Sequence, residues 1–262
     1  MIHWHIYILG FISISLLALT GWLLSLARKN VTHVDSMWSL FLMLSAYSYA
    51  LAVNDFTSRT FLVLFLVSLW AIRLSAYLTW RNWGPHEDHR YVAIRQNNEP
   101  NFWLKSLYII FGVQAVLAWI ISMPLFGAIE SKVSLTRLDV LGGIIFTIGF
   151  LWETIADWQL SIFKANSNNK GKVLNTGLWG YSRHPNYFGE CCVWWGFYII
   201  AMSGGAWWTI AGPILMTLLL LKVSGVALLE KDIAERRPAY LSYIKNTNAF
   251  FPWLPKKLVK RA

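Results

Sequence analysis

The stretch GLWGYSRHPNYFGECCVWWG, residues 177–196, changes character half way along. Its first half is polar and basic, and its second half is apolar and aromatic enough to enter a membrane. Arg183, His184, Asn186, Tyr187 and Glu190 therefore crowd the mouth of a hydrophobic segment. Ionisable groups are costly in hydrocarbon, and where they gather at a span they mark function.

The rest of the chain fits that reading. Of 262 residues, 56% are hydrophobic and 14% are charged, whereas soluble domains carry about 25% charged residues. Apolar runs near the roughly 20 residues needed to cross a bilayer fall at 6–27, 36–54, 60–80, 104–126, 138–163, 187–204 and 206–229. The expectation is an all-α integral membrane protein with seven transmembrane helices in a single membrane domain, residues 1–262. The last two spans join through Ser203-Gly204-Gly205 as a helical hairpin. The fifth exceeds what a bilayer needs and tilts or projects. No basic stretch or small-residue cleavage site accompanies the first span, so it reads as a retained helix. Sixteen Trp and eleven Tyr suit interface anchoring, and those in mid-segment have another task.

The net charge of +10 has a topological distribution. With the N-terminus outside, eighteen Lys and Arg fall on the inner loops and tail and three, Arg59, Lys132 and Arg137, on the outer loops. This positive-inside bias orients the chain N-terminus out and C-terminus cytosolic. It argues against a nucleic-acid partner and leaves cations for anionic lipid or an anionic ligand. Cys191 and Cys192 are adjacent on a helix, point about 100° apart and read as packing residues. No zinc-ligand spacing surrounds them, and no metal site is expected.

The charges within spans are one-sided. Asp35 and Arg73 lie near the cytosolic ends of the second and third spans. Glu153 and Asp157 lie in the cytosolic half of the fifth, and Glu190 starts the sixth. Lys222 and Glu230 lie at the end of the seventh. Together they imply a polar chamber open to the cytosol between hydrophobic walls. Glu153 and Asp157, spaced i and i+4, share a helix face and need a partner. Arg183, Lys164 or a ligand hydroxyl would serve.

Three cytosolic segments complete the pattern. RNWGPHEDHRY, residues 81–91, turns at Gly84-Pro85 and is either solvated surface or a functional loop. KANSNNKGKVLNTGLWGYSRHPNY, residues 164–187, is rich in donors and suits phosphate oxygens, without any glycine-rich dinucleotide fingerprint. The basic, Tyr-containing tail after the seventh span is either a membrane-surface helix or a lid.

GLWGYSRHPNYFGE followed by an aromatic span, with RRPAYLSYIKNTNAFFPW near the end, resembles the steroid 5α-reductase C-terminal domain superfamily, and within it a bacterial branch. The resemblance is specific from about residue 138 to 255. It is weaker over VDSMWSL and RLSAYLTWRNWGPHED. It implies a seven-helix enzyme of the bacterial inner membrane with a cytosol-facing NADPH site. Residues 1–137 would form its substrate side and residues 138–262 its cofactor part. The implied reaction reduces a C=C bond conjugated to a ketone in a steroid-like or other lipid substrate that enters from the bilayer, with hydride delivered to the β-carbon. Membrane lipids surround such an enzyme, and no obligate protein partner is implied.

Position by position, the resemblance gives Asp157, Lys164 and Asn186 to the cofactor, Arg73 to its phosphates, and Arg236, Arg237, Tyr240 and Tyr243 to a closing tail. Arg183 and His184 join this set, and Glu153 stands where the steroid enzymes carry Asn. Trp195 lines a dry nicotinamide pocket with Trp194 and Tyr198. Glu190 falls on the family's Glu and joins the catalytic set. The Gln-Glu pair of the steroid enzymes has no counterpart on the second span, so the acid at the ketone becomes Asp35, with Tyr77 or Tyr187 helping. A buried, protonated Asp35 would donate to the enolate oxygen. The Arg-His-Pro-x-Tyr element also occurs in membrane methyltransferases that use S-adenosylmethionine, which is the alternative activity. A non-enzymatic lipid carrier or assembly subunit is the third reading.

Overall fold

The computed structural model describes residues 3–84, 86–223, 226, 230 and 240–255. Among these it is all-helical. Five helices are long and apolar enough to cross a membrane: Trp4–Arg28 (α1), Val34–Val53 (α2), Ser58–Arg81 (α3), the composite Phe102–Ile121 and Arg137–Ala165 (α8). Several exposed apolar side chains, such as Leu16, Phe65 and Ile148, suit contact with lipid rather than water. Pro185–Ser203 (α10) is 19 residues long, but its opening polar turns dilute its apolarity. Within the described residues the last apolar stretch is Trp207–Val223, which passes from a 3₁₀ turn through the helix Ala211–Leu218 (α11) to a π turn.

The expected fourth segment is broken. Phe102–Ser106 (α5) runs through a π-helical turn, Leu107–Gly112, into Val113–Ile121 (α6). The chain then restarts at Met123–Glu130 (α7), where Pro124 occupies the first turn. Proline lacks the N–H an interior helical position must donate, and a first turn needs none.

The chain divides into two compact units: residues 1–136 with 201–212, and residues 137–200 with 213–262. In the first unit, α2 packs on α1, α3, α6 and α7. Mid-helix aromatics tie these elements together. The Tyr7 and Trp119 rings stack at 4.7 Å. Tyr7 Oη donates to the Trp119 carbonyl at 2.7 Å, and Trp119 Nε1 donates to the Tyr7 carbonyl at 3.0 Å. Tyr49 Oη meets Ser122 Oγ at 2.7 Å. Buried aromatic polar atoms are thus satisfied inside the helix pack. Arg59, 1% exposed, clamps the segment after α7 through Ser131 Oγ and the carbonyls of Val133 and Ser134.

In the second unit, α8 and α10 touch backbone to backbone. A Cβ on Gly142 would lie 2.7 Å from the Gly196 carbonyl, and one on Gly149 would lie 2.6 Å from the Gly189 carbonyl. The two pairs run in opposite directions, so the helices cross antiparallel, with contacts seven residues apart on each. Small residues at such spacing let membrane helices approach closely. The buried stripe Gly142, Phe146, Gly149, Glu153, Asp157 then follows from i+3 and i+4 spacing on α8.

Candidate functional site

The glycine crossing fixes where the acids of α8 lie. A Cβ on Gly189 would fall 2.5 Å from the Glu153 amide nitrogen, so Glu153, at 2% exposure, is pressed against the start of α10. One turn on, Asp157 is buried and its Oδ1 accepts from Asn186 Nδ2 at 3.2 Å. Glu190, a turn further along α10, is buried too. Glu153, Asp157, Asn186 and Glu190 are therefore gathered where the two helices meet.

The loop before α10 is anchored at both ends. Gln159 Oε1 accepts from the Leu178 amide at 3.0 Å, and Trp179 Nε1 donates to the Ala156 carbonyl at 3.0 Å. Gly177, at φ 61, is required here, since the Gln159 amide would lie 2.6–2.8 Å from any Cβ. The short helix Leu178–Tyr181 (α9) follows. Ser182 Oγ donates to the Phe250 carbonyl at 2.8 Å, and Tyr243 Oη donates to the carbonyls of Trp179 and Ser182.

Arg183 is the centre of this stitching. Its Nε and Nη2 donate to Glu230 Oε1 and Oε2 at 2.7 and 2.8 Å, and its Nη1 donates to the carbonyls of Thr247 and Ile244 at 2.6 and 3.1 Å. His184 Nε2 donates to Glu230 Oε1 at 3.0 Å, and its ring stacks on Tyr187 at 5.5 Å. Burial pushes the Glu230 carboxyl up, but the hydrogen bonds from His184 and Arg183 outweigh it and hold it at about 2. Arg183 and His184 thus face protein groups, and they tie the tail helix Tyr240–Asn246 to the mouth of α10. Tyr240 and Tyr243 of that helix are buried edge to face, with centroids 5.2 Å apart. Trp195 Nε1 donates to Thr217 Oγ1 at 3.2 Å. Lys164 is exposed at the end of α8. Arg236 and Arg237 lie outside the described residues.

The first unit holds a second centre. Asp35, in the first turn of α2, accepts from Tyr91 Oη at 2.5 Å on Oδ1 and from Arg90 Nη2 at 2.6 Å on Oδ2. Asp88 also holds Arg90, through Nε and Nη2, both at 3.0 Å, and caps the helix His89–Asn98 (α4) through the Arg90 amide. Glu87 takes Arg95 on both oxygens and the Val31 amide at 3.0 Å. The loop is therefore folded onto the start of α2 rather than left as solvated surface. Burial pushes the Glu87 and Asp88 carboxyls up, but hydrogen bonds from Arg95 and Arg90 hold both below their usual range. Burial and then the Asp35 charge hold the Tyr91 phenol well above its usual range, so it stays a donor. In this structure Asp35 accepts on both oxygens and orients Tyr91 and Arg90. Tyr77 and Arg73 lie half-buried on α3, Tyr77 beneath the Arg81 guanidinium at 5.8 Å.

Two sets of partners were not named as site residues from the sequence: Tyr91 and Arg90 for Asp35, and Glu230 for Arg183 and His184. A concentration of charge beside a span was the available signal for the first. For Glu230 it was a lone acid at the foot of a basic tail.

Several long apolar helices and a polar centre at one helix mouth define a multi-pass membrane protein. The model of a family described as protein of unknown function (DUF1295) matches residues 21–247. The chain belongs to that family of membrane proteins, which is related to the steroid 5α-reductases. It is 27% identical to the uncharacterized protein C594.04c of Schizosaccharomyces pombe (strain 972 / ATCC 24843), over 95% of this chain and 80% of that one. It is also similar to the probable O-methyltransferase ustE of Ustilaginoidea virens, 44% identical over 46 residues, which are 18% of this chain and 16% of that protein. No solved structure matches it.

Proposed function

We propose that this chain is an NADPH-dependent reductase of the steroid 5α-reductase type. It reduces the C=C bond of an α,β-unsaturated ketone in a steroid-like or other lipid substrate. The reading adopts seven spans, N-terminus out, with the cofactor face on the cytosolic side of a bacterial inner membrane. The eighteen-to-three distribution of Lys and Arg supports that orientation.

The observation that carries the proposal is the pair of buried acids Glu153 and Asp157 at the α8–α10 crossing, with the half-buried Asn186 donating to Asp157. These are positions the resemblance gives to the cofactor. The donor chemistry nearby in the chain suits a dinucleotide: Lys170 and Lys172 are exposed and have no ion pair among the described residues, and phosphates need such cations. Bound NADPH supplies hydride to the β-carbon, and a proton must reach the α-carbon. Lys164, Arg73, Arg236 and Arg237 serve the phosphates, and Trp195, Tyr240 and Tyr243 exclude water. Arg183 and His184 are positioning residues, acting through Glu230 and the tail. At the ketone, Asp35 acts through its donors Tyr91 and Arg90, with Tyr77 or Tyr187 helping. Glu190 completes the catalytic set, and Asn186 holds the nicotinamide end.

The short, 44% identical match to a probable O-methyltransferase favours one second reading, transfer of a methyl group from S-adenosylmethionine. A fluorescence-quenching titration of the purified chain with each cofactor decides between them. Saturable quenching by NADPH, weakened by Asn186→Ala, supports the reductase. Quenching by S-adenosylmethionine alone supports the methyltransferase.

A further inference from the structure

Within the first unit, the ends of α1, α2 and α3 line a half-open cavity of about 370 Å³, within the size range of small-molecule sites. It is graded along its length. Leu17, Leu24, Met37 and Leu40 line it within the helices, whereas Arg28, Asn30 and Asn82 line it at the helix ends. Neither Asp35 nor its partners Arg90 and Tyr91 line it.

Thr20, Asn30, Thr32 and Asn82 of its lining are hydrogen-bonded to protein, but four other polar groups are not. Ser36, Ser75 and Thr79 line the cavity, and their hydroxyls have no protein partner among the described residues. Arg28 is exposed and has no ion pair among the described residues. His33 adds no second cation: its Nε2 donates to the Gly21 carbonyl at 2.9 Å, and burial first, then Arg28, hold its pKa below the usual value. One cation, three hydroxyls and an apolar floor match a ligand with one negative charge on oxygen and a hydrocarbon chain.

We propose that this cavity binds the head of a monoanionic amphiphile, its anionic oxygens on Arg28 and the hydroxyls of Ser36, Ser75 and Thr79, its chain along Leu17, Leu24 and Leu40. The site is separate from the reductase reading and does not depend on it. A phosphodiester lipid and a fatty acid share this chemistry, and the test separates them.

Native mass spectrometry of the full chain, released from detergent, is run with dioleoylphosphatidylglycerol, with oleate and with dioleoylglycerol as the uncharged control. One retained adduct is expected with an anionic probe, about tenfold tighter than with dioleoylglycerol. Retention of phosphatidylglycerol alone identifies a phospholipid head, and retention of oleate alone identifies a carboxylate. Arg28→Gln, an exposed change that leaves melting unaltered, should weaken that adduct about tenfold, and Ser75→Leu should block it by filling the cavity. Equal retention of dioleoylglycerol, no retention of either anion, or an adduct indifferent to Arg28→Gln overturns the proposal.

Discussion

Two arginine–carboxylate centres, one in each unit, are wired in opposite senses. Around Asp35, one carboxylate near a span gathers two donors from a loop 55 and 56 residues away, Arg90 and Tyr91. Around Arg183, one guanidinium at a span mouth gathers a carboxylate 47 residues away and two carbonyls of the tail. Arg90 divides its fork between Asp35 and Asp88, and its side chain is 29% exposed; that of Arg183 is 8% exposed and engages protein through all three guanidinium nitrogens. The difference separates two tasks. The Arg183 centre is a clamp that holds the tail in place. The Asp35 centre keeps donors gathered at the end of a helix and retains solvent access, which suits a site that meets a ligand.

Removing the clamp's carboxylate should produce the largest effect. Glu230→Ala leaves a buried guanidinium and a buried imidazole without their anion, a loss of about 3–5 kcal/mol. It should appear as a large drop in melting temperature in detergent. A drop no larger than that of a surface change would mean that the tail is held by something else.

Acid should break the same clamp without mutation. The Glu230 carboxyl titrates at about 2 instead of its usual 4.5, so its contribution is complete above about 4.5 and is lost as pH falls toward 2. The shift corresponds to about 3 kcal/mol. Melting temperature of the wild type should decline over that window, and the decline should be shallower in Glu230→Gln.

Tyr91→Phe sharpens the other side of the comparison. It removes one donor from Asp35 and costs about 2 kcal/mol, while leaving Arg90 in place. Under the reductase reading, turnover falls more than affinity for NADPH. Equal loss of both would make Tyr91 a structural residue only. The smallest effect belongs to Lys132→Ala, because its pair with Asp55 is 3.8 Å apart with the lysine side chain 81% exposed. Its melting should match wild type within the range of isolated surface pairs.

The helices and the buried face of α8 were legible because both are local. Composition marks apolar runs, and the i, i+4 spacing of Glu153 and Asp157 places them on one side of one helix; the glycines of that face emerge from the packing. The break in the fourth segment was hidden: 104–126 reads as one apolar run, although Pro124 lies where the helix restarts. The partners were not legible. Asn186 on Asp157, Glu230 on Arg183 and Tyr91 on Asp35 are pairings 29, 47 and 56 residues apart. Several nearby donors and acids satisfy the same chemistry, and only the packing of the helices chooses among them. Asp35 shows the consequence. Its depth marked it as a candidate, but the two donors it gathers, Tyr91 and Arg90, appear only in the packing.

The measurement that bears most directly on the reductase reading is oxidation of NADPH by the detergent-purified chain with progesterone or testosterone as the enone. The account predicts oxidation that depends on the enone and yields a product reduced at the conjugated C=C bond. Absence of both oxidation and NADPH binding, with S-adenosylmethionine bound instead, would contradict it.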